Sequence, residues 1–103
     1  MSVTFFALIA DQQDVDLERY EVNVTGGHAR EIEDAMALTE VTEEGDHPAG
    51  ELPAQTFLAD LLIAQGRDNE PRVQRYLDRL WDLAYEANQM ALRAHKTATI
   101  AWA

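Results

Sequence analysis

Three histidines, His28, His47 and His95, stand among abundant carboxylates. Imidazole and carboxylate together make a transition-metal donor set. His28 and Glu31 are three residues apart, a spacing that puts both on one helix face. No His-x-x-x-His pair accompanies them. The three therefore read as a helix-start residue, a loop residue and a cation at a helix C-terminus. Asp11, Asp14 and Asp16 resemble the opening of a calcium loop, but its glycine, its terminal glutamate and its flanking helix pair are missing. Gly26-Gly27 precedes a predicted helix, as phosphate-cradling turns do. Neither a G-x-G-x-x-G run nor a Gly-Lys-Ser/Thr run surrounds it, and Glu31, Glu33 and Asp34 would repel a phosphate there. Acid–base pairs work in apolar pockets that drive their pKa values apart, whereas Glu40, Glu43, Glu44 and Asp46 fall in a hydrophilic stretch. Ser2, the only serine, has no placed histidine partner. Asn23-Val24-Thr25 fits a glycosylation sequon without a secretory route to use it. These residues predict no enzyme activity and imply no metal or cofactor.

Side chains suited to recognition are easier to find. Arg72, Arg75 and Arg79 recur at i, i+3 and i+7, so they line one face of a helix. With Asp82 and Glu86 they form a charged stripe. Its plain reading is a solvated face with Arg75–Asp78 and Arg79–Asp82 pairs. The sharper reading is a basic strip facing the acidic middle of the chain, within one molecule or in a second copy. Trp81 and Trp102 are core by default; exposed, they would anchor an interface, since tryptophan is enriched in binding hot spots. The candidate interaction surface is therefore Trp81, Trp102, Arg72, Arg75 and Arg79, with the acidic Glu40, Glu43, Glu44 and Asp46.

The charge map narrows the partners. The net charge is −11 over 103 residues. Residues 31–66 carry nine acids and no base, whereas residues 67–103 are nearly balanced. Such a middle segment repels nucleic-acid phosphate and anionic membranes, so the expected partner is a neutral or basic protein, or the chain itself. The absence of cysteine rules out disulfides and thiolate metal sites. No run approaches the length of a transmembrane helix. Val3 to Ala10 lacks the positive flank of a secretory signal. A cytoplasmic setting is expected.

The elements that position these side chains follow from periodicity. Val3-Thr4-Phe5-Phe6-Ala7-Leu8-Ile9 is apolar and β-branched or aromatic almost throughout, which suits a strand. Arg19 to Val24 alternates polar and apolar, placing Tyr20, Val22 and Val24 on the core side of a strand paired with the first. After Gly26-Gly27 a helix buries Ala29, Ile32 and Ala35 or Met36. Thr39 to Gly50 reads as an acidic, mobile loop. Leu52-Pro53 starts a second helix with Phe57, Leu58, Leu61 and Leu62 on its apolar face, stopped at Gly66. Asp68 or Asn69 caps a third helix ahead of Pro71. Its stripe of Val73, Tyr76/Leu77, Leu80, Leu83/Ala84, Ala87 and Met90/Ala91 is the clearest period in the chain. Thr97 to Trp102 closes the chain as a strand. The expected fold is a single α+β domain over residues 1–103. A small antiparallel sheet comes from both chain ends (about 3–9, 19–24 and 97–102), with three helices (about 27–38, 53–65 and 70–95) packed on one face.

The order of segments resembles a group of small uncharacterised proteins from actinobacteria and their phages. The resemblance is carried by Asn23-Val24-Thr25 leading into Ala29-Arg30 and by Leu52-Pro53 before Phe57-Leu58. It continues in Tyr76-Leu77, Arg79-Leu80 and Leu83-Ala84, which lead to the closing Trp102. This chain has a shorter join between its second and third helices, and His28 replaces a small polar residue. The group has no established activity, so the resemblance implies no functional residue. The sequence thus points to a non-enzymatic acidic interaction module, as in a phage or mobile-element accessory protein acting on a host protein. Two rival readings stand beside it. One is a nucleic-acid mimic that places its carboxylates in a DNA-binding protein's basic groove; the other is a homo-oligomeric structural protein.

Overall fold

The computed structural model describes residues 2–38 and 49–103. The fold is α+β, an antiparallel five-stranded sheet drawn from both ends of the chain, with helices. Strand β1 (Ser2–Ile9) lies at its centre. On one side β1 pairs with β2 (Gln12–Gln13) through Leu8 and Ile9, and with β3 (Val22–Thr25) through Ser2 to Phe5. On the other side it pairs with β5 (Ala98–Trp102), Phe5 opposite Trp102 and Ile9 opposite Ala98. Strand β4 (Gly50–Pro53) adds to the outer edge of β5. Burial along β1 follows the strand period of two: Val3, Phe5, Ala7 and Ile9 are buried, while Thr4, Phe6 and Leu8 on the opposite face are half-buried.

Three α-helices complete the core. Helix α1 (Gly26–Met36) begins at Thr25, whose Oγ1 accepts from the His28 amide at 3.2 Å. It buries Ala29, Ile32 and Met36. Helix α2 (Ala54–Gln65) buries Phe57, Leu61 and Ala64. Helix α3 (Pro71–Arg93) buries Val73, Leu77, Leu80, Leu83, Ala84, Ala87 and Ala91, the stripe its sequence predicts. Helices α1 and α3 both end on a residue in the left-handed conformation, Ala37 and His95. In each case the amide of the next residue reaches back to close the last turn: Leu38 to the Glu33 carbonyl, Lys96 to that of Ala91, both 2.8 Å.

Besides the added strand β2, the structure differs from the expected elements at four places. Val15–Tyr20 is a 3-10 helix, so Arg19 and Tyr20 are not strand residues. The Asp14 carboxylate accepts from the Asp16 amide at 2.9 Å and turns the chain, and Leu17 is drawn into the core. Leu52 and Pro53 belong to β4 rather than to the first turn of α2, which starts at Ala54. Proline fits there because an edge strand can spare one amide. Gly50 likewise leaves the expected loop to pair with Trp102. Asn69 does not cap α3; its amide donates to the Ala64 carbonyl at 2.7 Å and so ties down the end of α2.

Candidate functional site

Among the described residues no three His, Asp or Glu side chains converge as a metal site would require. His28 and His95 lie on separate elements, and His47 falls outside the described residues. The candidate residues that are described sort onto three parts of the molecule.

Trp102 belongs to the core. It is 1% exposed, which corrects its candidacy as an interaction anchor. Its ring stacks on Phe5 at 5.7 Å between centroids and tilts against Phe57 at 6.2 Å. The indole Nε1–H donates to Glu33 Oε2 at 2.9 Å. Glu33, on α1, is the one buried charged residue among those described, at 5% exposure. A buried indole N–H needs a partner, and that need accounts for an acid on the inner face of α1.

Trp81 behaves differently. It is half-buried, and its ring stacks on Tyr85 one turn on, 6.3 Å between centroids and 17° between planes. Gln65 Nε2 donates to Asp78 Oδ1 at 3.1 Å and sets α2 and α3 in antiparallel register. One and two turns further into each helix, that register brings Leu62 level with Trp81 and Leu58 level with Tyr85. Leu62 and Ile63 are 61% and 60% exposed, and Tyr85 is 44% exposed. The expectation that Leu62 lies on the buried face of α2 is therefore corrected: α2 is apolar nearly all round, and only Ala54, Phe57, Leu61 and Ala64 are fully buried. Tyr85 and Ile63 were not singled out in the sequence, and Leu62 was placed there only as a core residue. The unbroken Leu61-Leu62-Ile63 run was the available signal, because one buried stripe cannot hold three consecutive helical residues.

The arginine stripe lies on the opposite flank of α3, toward α1. Arg72, Arg75, Tyr76 and Arg79 line a groove of about 280 Å³. Arg72 Nη2 sits 2.7 Å from both Glu31 carboxylate oxygens, with Glu70 3.6 Å away. The hydrogen bond to Glu31 and then its charge raise the Arg72 guanidinium above its ordinary value. The expected facing of a basic strip onto the acidic 31–66 segment is thus met by Arg72 within one molecule. Tyr76 is held from the side by His28, Nδ1 to hydroxyl 3.1 Å. The expected Arg75–Asp78 and Arg79–Asp82 pairs do not form among the described residues. Asp78 Oδ1 instead accepts from Gln65 and Gln74. The remaining candidates, Glu40, Glu43, Glu44 and Asp46, lie outside the described residues.

Comparison of the chain with protein-family models, with curated proteins and with solved structures finds no match.

Proposed function

We propose that this chain is a non-enzymatic protein-interaction module that docks a host protein through the outer ledge of α2 and α3, in the cytoplasm. The observation that carries this reading is the exposure of Leu62 and Ile63 on α2 and of Tyr85, stacked on Trp81, on α3. Apolar patches of this kind on a small domain mark interaction sites, and rigid aromatic rings anchor them at low entropic cost. Asp60, Asp78 and Asp82 lie on the same two helices, so a partner with a neutral centre and a basic rim fits best. The resemblance of the segment order to small actinobacterial and phage proteins supports a host protein as that partner.

The test is affinity capture from a host lysate at low and high salt, with light scattering on the pure protein. Capture through an apolar ledge survives high salt and is lost in Leu62→Asp, whose circular dichroism stays that of the wild type because Leu62 is mostly exposed. A monodisperse monomer that captures nothing sinks the proposal, as does capture that Leu62→Asp leaves intact. One observation favours a second reading, a homo-oligomeric structural protein. Phe6 and Leu8 are only half-buried on the sheet face turned away from the core. That reading predicts a salt-insensitive dimer or larger species, dissociated by Phe6→Asp.

A further inference from the structure

The groove on the α1 flank of α3 holds positive charge that the fold does not use. We infer that it binds an oxyanion group, a phosphate or a carboxylate, carried by a small ligand. The chain has 19 acids and 8 bases, so each arginine has carboxylates to spare as partners. Arg72 takes one, Glu31. Arg75 and Arg79 take none among the described residues, although Asp78 and Asp82 follow each of them at a spacing suited to pairing. Like charges at i, i+3 and i+4 on a helix repel one another, and a bound anion relieves that repulsion.

The donors match the chemistry. Guanidinium presents a planar fork of N–H groups that suits carboxylate and phosphate oxygens. The groove is lined by three such groups and Tyr76, with no carboxylate among its described walls. When the His28 Nδ1 carries a proton it donates to the Tyr76 oxygen, leaving the hydroxyl hydrogen for the ligand. Arg72 is oriented by its contact with Glu31, and its Nε is buried with no hydrogen-bond partner. The volume, about 280 Å³, falls just below the usual range of small-molecule pockets. It suits a phosphate monoester or a short dicarboxylate. A polyanion is disfavoured, because the net charge of −11 repels an extended chain of phosphates while contact with two free guanidinium groups acts within a Debye length. The site lies across α3 from the Trp81–Tyr85 ledge, so it can be filled while that ledge is engaged.

Nuclear magnetic resonance of the arginine Nε–H groups reads the site directly. The protein is titrated with inorganic phosphate and, in a separate arm, with succinate, at an ionic strength held constant with sodium chloride. The Arg75 and Arg79 signals should shift along a saturating curve with Kd below about 1 mM in at least one arm. The arm that binds more tightly identifies the oxyanion. The double variant Arg75→Gln/Arg79→Gln should weaken binding at least tenfold while its thermal midpoint stays close to wild type, since neither side chain is tied to another among the described residues. Tyr76→Phe should weaken it by a smaller factor. Shifts that rise linearly with either anion, or saturation that the double variant leaves unchanged, would overturn the assignment.

Discussion

Gly50→Ala is the sharpest test of how this core is held. A Cβ built on Gly50 falls 2.5 Å from Trp102 Cζ2, 2.9 Å from Cε2 and 3.1 Å from Cη2. Something must move, and the indole has little room to do so. It is stacked on Phe5, tilted against Phe57, tied to Glu33 and 1% exposed. Overpacking of a closed core costs about 1–3 kcal/mol. If the indole tips far enough to lose Glu33, a buried acceptor and donor go unmatched at a further cost of about 1–3 kcal/mol. A total of about 2–6 kcal/mol is a large part of the roughly 5–15 kcal/mol that holds a small domain together. At about 4–8 °C per kcal/mol for a domain of this size, Tm should fall by roughly 10 °C or more. Urea unfolding followed by tryptophan fluorescence and far-ultraviolet dichroism measures it, with the midpoint lowered and the slope unchanged. Gly27→Ala is the control: nothing lies within 4 Å of its added methyl, and alanine is the better helix residue. It should be neutral or mildly stabilising. If Gly50→Ala unfolds within about 0.5 kcal/mol of wild type, inside the ordinary range for surface substitutions, the packing account of Trp102 is wrong.

The two-residue turn between β1 and β2 has Ala10 and Asp11 at φ 49° and 64°. Such turns favour Asn-Gly, so Ala10→Asn with Asp11→Gly should raise stability by about 1 kcal/mol in the same urea assay. Ala37→Gly and His95→Gly relieve the same left-handed strain at the ends of α1 and α3; each should gain a few tenths to about 1 kcal/mol. Burial and then the neighbouring Glu18 carboxylate raise the Glu21 pKa above its ordinary value. The folded chain therefore holds that proton more tightly than the unfolded chain, and the charged form is a penalty present at neutral pH. Glu21→Gln should be the more stable protein at pH 7. Its advantage should shrink as pH falls through the carboxylate range, and a gap that stays constant with pH counts against this cause.

Much of the fold was legible where one element could be read alone. Val3 to Ile9 and the closing strand are strand-like by residue type, and α3 repeats its apolar residues in steps of three and four over its length. Those patterns stem from the backbone's own periods, so they survive without knowledge of neighbours. Strand β4 was not legible, because Gly50 and Pro53 read locally as loop and helix start. Only the outer edge of β5 makes Gly50–Pro53 a strand. The 3-10 helix hid behind a period-two alternation that Leu17, drawn into the core, overrode.

The site divides along the same line. Sequence alone determined that Arg72, Arg75 and Arg79 share a helix flank and that the middle of the chain is acidic, because spacing and charge are properties of the chain. Which arginine would find a carboxylate was decided in three dimensions. Glu31 on α1 reaches Arg72, while Gln65 on α2 takes the Asp78 oxygen that Arg75 would otherwise have met. The two tryptophans were equivalent candidates in sequence and ended in opposite roles. Trp102 is enclosed by Phe5, Phe57, a glycine with no side chain and an acid from α1, four contributions from four separate elements. Trp81 packs at the margin of the core beside its own helix neighbour, Tyr85, and stays only partly buried. Local patterns fix which residues can face inward; burial itself depends on what the rest of the chain brings to cover them.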